Sequence, residues 1–327
     1  MNNPSIFEKM EPMKKVQPFS KLLPLIFLFV VSSVFVPLAG PGFLFLLPMI
    51  LFINKMFNGL FKPSAVFFIS LAFLMGIAAW SKYDVPSMAV FTMGTAGILM
   101  AQIAIKNDSV EKTIIFPALL LIAAIGFYFI YDAVALSVSP WQLVRNFVTA
   151  IVMENVNLYA ALPLKAEDIR FIKDNQQNII NGLVQIFPSM VVILSLMIIW
   201  VNLLLGRNYV SRAGVIFPNL VLLARWKMPE KMIWVFILSG ALLFAPEKII
   251  NILSLNVFLV MCFLYLLQGL AIVSYLFQFK NVPVFLRYLF YFFIAVQQFL
   301  MIPIIAIGLF DIWVDFRKII RKDKASN

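Results

Sequence analysis

The chain alternates between long apolar stretches and short segments that hold most of its charged residues. A charge at the bilayer centre costs at least about 2.5–3.5 kcal/mol, and a spanning helix needs roughly 20 apolar residues. Eight stretches free of Asp, Glu, Lys and Arg are long enough to consider: 22–54, 63–81, 85–105, 113–131, 175–206, 232–246, 249–279 and 288–310. The pattern predicts an all-α, polytopic bundle of transmembrane helices.

Two of these stretches decide the number of spans. The stretch 22–54 would form a helix of roughly 50 Å, and the segment PLAGPG at 37–42 interrupts it. We expect two short spans near 22–38 and 42–53, with a re-entrant pair as the alternative. The stretch 232–246 is short for a span, although Lys231 and Lys248 can snorkel outward and lengthen it. We therefore expect eight or nine spans.

The segment 137–174 is too long for a plain connection and carries helix signals of its own. Ser139, Pro140 and Gln142 fit an N-cap, a proline at the first helical position and a capping-box partner. An apolar stripe follows at three- and four-residue spacing: Trp141, Val144, Val148 and Ile151. We expect an amphipathic helix at the membrane surface, followed after Pro163 by a second helix that leads into the next span.

The expected organisation is one integral membrane domain over residues 1–327. Its parts are a cytoplasmic N-terminal segment (1–21), N-terminal spans (22–136), an amphipathic connecting segment (137–178), C-terminal spans (179–310) and a basic tail (311–327). No internal repeat is visible along the chain.

Composition supports the membrane assignment. Hydrophobic residues make up 63% of the chain and charged residues only 13%, whereas a soluble domain carries about 25% charged residues. A water-soluble fold could not bury so much apolar surface. The net charge of +11, from 26 Lys and Arg against 15 Asp and Glu, is typical of basic cytoplasmic loops and needs no nucleic-acid partner.

The distribution of basic residues predicts the topology. By the positive-inside rule, the basic segments 1–21, 55–62 and 207–231 are cytoplasmic, and the charge-balanced segment 137–174 faces outward. The C-terminal part conflicts with this rule. Segments 280–287 and 311–327 are both basic, yet one apparent span separates them. Either one span is miscounted or one basic end lies outside.

The residue types available for chemistry are few. The chain has no histidine, which removes the commonest general base and metal ligand, and one cysteine, Cys262, which excludes an intramolecular disulfide. Phosphate-binding loops, nucleophile elbows and zinc-protease motifs are absent. We therefore expect no enzymatic activity, no catalytic residue, no bound metal and no cofactor.

Polar residues within apolar stretches are the candidate ligand-binding residues, because each must find a partner in protein or water. They are Asp132, Gln102, Gln185, Asn202, Gln268, Gln297 and Gln298. One interpretation places them around a central site for a polar ligand. The alternative is that they form hydrogen bonds between helices, with Asp132 reaching water at the interface.

Two further features have competing interpretations. Asp311 and Asp315, four residues apart, would share a helix face and hold Mg²⁺ against a diphosphate, or be neutralised by Arg317 and Lys318. Gly97 and Ala101 have the small-xxx-small spacing that lets helix backbones approach closely. This spacing predicts tight packing, with a hinge as the alternative.

Three short segments resemble the YybS-like family of uncharacterised bacterial membrane proteins. They are FPNLVLLARWKMPEKMIW at 217–234, QGLAIVSY at 268–275 and GLFDIWVDFRK at 308–318. The resemblance implies a bacterial cytoplasmic membrane and a distant similarity to the substrate-binding membrane components of vitamin transporters. It supplies no catalytic or binding residues, and the small-residue docking motif of such components is absent from 22–38.

We therefore hypothesise a non-enzymatic, multi-pass protein of the bacterial cytoplasmic (inner) membrane. Its expected partners are membrane lipids and either a small or lipid-like ligand, which it could transport, or a membrane protein. A substrate-binding component that works with a separate ATPase, an assembly or regulatory scaffold, and a membrane enzyme using Asp132 or the Asp311 and Asp315 pair are the alternatives.

Overall fold

The computed structural model describes residues 22–36, 39–81, 86–106, 108–161, 166–213 and 226–319, and within these ranges the chain forms helices and no strand. The helices are α1 (Leu23–Phe35), α2 (Gly40–Asn58), α3 (Phe61–Ser81), α4 (Ser87–Ile105), α5 (Val110–Ala135), α6 (Pro140–Ala161), α7 (Ala166–Asp174), α8 (Gln176–Arg212), α9 (Met232–Leu242), α10 (Lys248–Phe279), α11 (Val284–Val296) and α12 (Met301–Val314). A 3-10 turn, Gln298–Leu300, lies between the last two.

Six of these helices are long and apolar enough to cross a membrane: α2, α3, α4, α5, α8 and α10. Helices α11 and α12 pass the same test only as a pair, and the pair bends by 109° at its break. Helices α1 and α9 are apolar but shorter. The all-helical membrane class is therefore confirmed, whereas a total of eight or nine crossings stays a prediction.

The chain forms two compact units. The first takes in Met1–Ala124 and Leu194–Val221, and the second takes in Ile125–Ile193 and Leu222–Asn327, so that α5 and α8 contribute to both. The assignment of residues 1–327 to one membrane domain stays a prediction.

In the first unit, α1, α2, α3 and α4 pack around an apolar core. Its buried residues are Ile26, Val30, Leu47, Ile50, Leu51, Phe67, Leu71, Leu74 and Val90. A Cβ atom added to Gly97 would lie 2.6 Å from the Cα and carbonyl oxygen of Pro48. Only glycine allows the backbones of α4 and α2 to approach so closely, which confirms the predicted tight packing at this position.

In the second unit, α6 is the helix that Ser139 and Pro140 predict. The N–H of Gln142 donates to Ser139 Oγ at 3.1 Å, as an N-cap requires. Of the predicted apolar stripe, Val144 and Val148 are buried, whereas Trp141 and Ile151 are 45% and 42% exposed. The buried residues of α6 recur every four positions, at Val144, Val148, Val152 and Val156. They pack against Ile180 and Val184 of α8.

Candidate functional site

The seven polar residues predicted to line a ligand site are divided between the two units. Gln102 and Asn202 belong to the first unit, and the second contains Asp132, Gln185, Gln268, Gln297 and Gln298. Asn202 and Gln268 are fully buried. Gln297 and Gln298 are exposed at the break between α11 and α12, and Gln102, Asp132 and Gln185 are partly exposed.

Asn202 bonds to the backbone of α2 beside a proline. Its Oδ1 accepts a hydrogen bond from the N–H of Met49, and its Nδ2 donates to the carbonyl oxygen of Phe45, both at 2.9 Å. These two backbone groups are four residues apart and would pair in a regular helix. Pro48, inside α2, disturbs that ladder. Asn202 therefore forms the interhelical hydrogen bonds of the alternative interpretation.

The second unit contains the same arrangement, and we call each of the two an Asn–Pro joint. Asn256 of α10 accepts a hydrogen bond from the N–H of Ser189 at 2.7 Å and donates to the carbonyl oxygen of Gln185 at 2.8 Å. Pro188, inside α8, stands in the position that Pro48 has in α2. Gln185 thus contributes its backbone carbonyl here. Asn256 was not among the predicted residues, although a proline in one apolar stretch and an asparagine in another were visible signals.

Gln268 lies in a buried polar network with a charged pair at its centre, the Arg317 network. Arg317 Nη1 donates to Asp311 Oδ2 at 3.0 Å, and Arg317 Nη2 donates to the carbonyl oxygen of Trp226 at 2.8 Å. Gln268 Nε2 donates to the same carboxylate oxygen at 3.2 Å, and its Oε1 accepts from the N–H of Met228 at 3.2 Å. The network joins α10 and α12 to the segment that precedes α9.

Two glycines bring α10 and α12 into backbone contact next to this network. A Cβ atom at Gly269 would overlap the carbonyl oxygen of Ile304, and one at Gly308 would overlap that of Tyr265. Such close approach is the usual role of small residues between membrane helices. It places Gln268 within hydrogen-bonding distance of Asp311.

The structure corrects the prediction that Asp311 and Asp315 share a helix face. Helix α12 ends at Val314, and Asp315 has a left-handed backbone with φ of 46°. Asp315 instead pairs with the exposed Lys318 at 2.9 Å, and the hydrogen bond from Lys318 lowers the pKa of Asp315. Both carboxylates therefore pair with cations, as mutual neutralisation predicts.

A groove of about 460 Å³ lies beside the Arg317 network, between α9 and α12. Five of its lining residues are apolar: Ile233, Trp234, Ile237, Ile312 and Trp313. Glu230 and Lys231 line it at the N-terminal end of α9. None of the seven residues predicted to bind a ligand lines this groove, because the prediction considers only polar residues within apolar stretches.

The three sequence segments that carry the family resemblance meet at this place. Trp226 and Met228 come from the first segment, Gln268 from the second, and Asp311 and Arg317 from the third. A family described as "Predicted membrane protein (DUF2232)" has a model that matches residues 24–312. The chain belongs to this family. No curated protein and no solved structure matches the chain.

Membership of the DUF2232 family confirms the prediction that the chain belongs to a family of uncharacterised membrane proteins. It supplies a class, a predicted membrane protein, and no chemistry.

One buried side chain of the DUF2232 chain next to the network lacks a hydrogen-bond partner. Tyr265 is fully buried, and its hydroxyl has no partner among the described residues. An unsatisfied buried hydroxyl destabilises a fold by about 1–3 kcal/mol. The ring itself packs well, edge to face on Phe236 with centroids 5.5 Å apart. The hydroxyl, unlike the ring, therefore weakens the fold.

Replacing Tyr265 with Phe should leave the unfolding free energy unchanged or raise it by up to about 1 kcal/mol, because the ring stays and the unpaired group leaves. Thr113→Val is the control for removal of a paired hydroxyl, since the buried Thr113 Oγ1 donates to the carbonyl oxygen of Ser109 at 3.0 Å, and it should lose about 1 kcal/mol. Thermal unfolding in detergent compares the two. An equal loss in both variants would contradict the assignment.

Proposed function

We propose that this protein is a non-enzymatic binding protein of the membrane that takes an amphipathic, lipid-like ligand into the groove between α9 and α12. The groove itself carries the proposal. Its volume of about 460 Å³ falls within the roughly 300–1,000 Å³ of small-molecule sites. Its apolar wall and its charged end match the two parts of an amphipathic molecule.

The wall suits an acyl chain and the end suits an anionic headgroup. Trp234 and Trp313 are 70% and 62% exposed, and indole rings favour the boundary between lipid tails and headgroups. Glu230 lies 3.8 Å from Lys227, which offsets the negative charge of Glu230. Lys231 then gives this end of the groove a positive character that attracts phosphate or carboxylate.

We further propose eight membrane crossings, in a bacterial cytoplasmic membrane. Helices α1 and α9 join the six longer spans, with thinning of the bilayer or snorkelling lysines compensating for their length. The N-terminal segment and the 207–231 loop then lie in the cytoplasm and 137–174 faces outward, as their charges favour. In this arrangement α6 lies at the outer surface.

Transport of the bound ligand, alone or with a separate ATPase, is an extension of the same proposal. A scaffold role is the second candidate, because α6 has an exposed apolar surface in addition to its buried valine stripe. That surface includes Trp141, Phe147, Ile151, Met153 and Leu158. It could bind a membrane protein partner, and a protein that acts only in this way would not need the groove.

Filling the groove tests the proposal. Ile237→Trp places a larger side chain on the groove wall, whereas Leu253→Trp adds the same ring at an exposed position of α10 that does not line it. Mass spectrometry of lipids co-purified with each detergent-extracted variant should show at least about a tenfold loss of one amphiphile for Ile237→Trp alone, equivalent to 1.4 kcal/mol of binding. Equal amounts in both variants would contradict the proposal.

A further inference from the structure

Helices α11 and α12 are each too short to cross a bilayer, and together they do not form a straight rod. Helix α11 has 13 residues and α12 has 14, so each is about 20 Å long, against a hydrocarbon core of about 30 Å. The backbone at Gln297 is extended, and the two axes are bent by 109° at this break. A bend above 90° turns α12 back relative to α11.

The C-terminal end of α12 lies next to the segment that precedes α9. Arg317 follows α12, and its guanidinium donates to the carbonyl oxygen of Trp226, six residues before α9 begins. Trp226 belongs to the basic 207–231 loop. Residues 315–319 and Trp226 therefore lie at the same end of the second unit.

The beginning of α11 lies at that end too. Helix α9 runs antiparallel to α10, because Phe236 contacts both Phe258 and Tyr265 while Asn251 donates to the carbonyl oxygen of Leu243. Helix α9 thus starts level with the C-terminal half of α10. Met228 contacts Gln268, twelve residues before Lys280, so residues 280–283, which follow α10, lie beyond Trp226 towards the same end of α10.

Charge and exposure indicate what α11 contacts. Lys280 precedes α11 and Arg287 lies in its first turn, so cations lie at the start of this helix, whereas Arg317 and Lys318 after α12 are already paired with Asp311 and Asp315. One face of α11 packs on α10 through Ile294 and Phe290. The rest of its surface is apolar and aromatic and is exposed: Val284, Phe285, Leu286, Tyr288, Leu289, Phe292, Phe293 and Val296.

We propose that α11 does not cross the membrane but lies in the cytoplasmic leaflet, and that α12 returns the chain to the cytoplasmic side. The partner of the exposed α11 surface is an anionic lipid leaflet, which receives the aromatic side chains at its headgroup boundary and pairs with the flanking cations. This arrangement removes the conflict between the basic segments 280–287 and 311–327. It is independent of the ligand proposed for the groove.

Sidedness of labelling tests the proposal in the full chain. In a Cys262→Ser background, single cysteines replace Val282, Ile319 and, as the control at the opposite end of α10, Glu247. Membrane-impermeant maleimide should label residues 282 and 319 from the cytoplasmic side and residue 247 from the other side. Labelling of residue 319 from the side of residue 247 would overturn the proposal, as would labelling of 247 and 282 from one side.

Depth measurements test the contact with lipid. Nitroxide labels at Phe285, Tyr288, Phe292 and Val296 would be compared in vesicles of phosphatidylethanolamine and phosphatidylglycerol, using oxygen and a water-soluble nickel chelate as collision partners. All four should lie near one interface, within about the 10–12 Å diameter of a helix. A steady change of depth from one interface to beyond the bilayer centre would overturn the proposal.

Discussion

Replacing Asp311 with Ala should lower the unfolding free energy by about 3–5 kcal/mol, the range for a buried ion pair that loses one partner. Asp311 is fully buried, and the Arg317 side chain is 8% exposed. The variant would leave the Arg317 cation without its carboxylate. The N–H of Phe316 would also lose its acceptor, Asp311 Oδ1, which lies 3.1 Å away. Unfolding in mixed detergent micelles measures the loss.

The neighbouring pair provides the control for this prediction. Asp315 bonds to Lys318 at 2.9 Å, but the Lys318 side chain is 70% exposed, so Lys318→Ala, which removes this pair and keeps the left-handed Asp315, should change stability by no more than about 1 kcal/mol. The double variant Asp311→Leu with Arg317→Met removes both buried charges and should regain most of the loss. A double variant as unstable as Asp311→Ala would exclude the unpaired charge as the cause.

The positions of the helices were predictable because the cost of a buried charge is large and local. Each charge-free stretch overlaps at least one helix. The stretch 22–54 overlaps two, α1 and α2, as the segment PLAGPG predicts, and 288–310 overlaps α11 and α12. The bend between α11 and α12 was not predictable in the same way. Gln297 and Gln298 mark its position, yet a pair of glutamines is also compatible with a continuous helix.

The partners of the polar residues were not predictable, because most of those partners are backbone atoms. Asn202 bonds to the N–H of Met49, 153 residues away along the chain, and a backbone N–H gives no signal in the sequence. Asp311 stands out in the sequence as a carboxylate at the end of an apolar stretch, but its partners depend on the left-handed residue Asp315, which turns the chain so that Arg317 folds back. Spacing alone indicated a helix that continued.

The asparagines and prolines of the two Asn–Pro joints are visible in the sequence, but which asparagine bonds beside which proline is not. In both joints the asparagine Oδ1 accepts a hydrogen bond from the N–H of the residue after the proline, and its Nδ2 donates to the carbonyl oxygen three residues before the proline. In both, the same Nδ2 also donates to the carbonyl four residues earlier in its own helix, Ile198 or Ile252. This repetition is visible in three dimensions only, since the residues involved are scattered along the chain.

Replacing Asn256 with Leu should lower the unfolding free energy by about 2 kcal/mol or more, because the Ser189 N–H and the Gln185 carbonyl lose their partner and an unsatisfied buried group costs about 1–3 kcal/mol. Asn202→Leu should have a similar effect on Met49 and Phe45. Asn155→Leu is the matched control, since Asn155 is exposed and, among the described residues, bonds only to Ile151 of its own helix. It should change stability by no more than about 0.5 kcal/mol.

A second substitution tests whether Asn256 stabilises the fold because Pro188 disturbs the backbone hydrogen bonds of α8. With Pro188→Ala, α8 can restore its regular ladder, in which the Ser189 N–H pairs with the Gln185 carbonyl. The combination of Pro188→Ala with Asn256→Leu should then be more stable than Asn256→Leu alone, by at least about 1 kcal/mol for the regained hydrogen bond. Unfolding of the four chains of this double-mutant cycle measures the coupling. Additive losses would mean that Asn256 stabilises the fold independently of the proline, and the two joints would then share a geometry without sharing a cause.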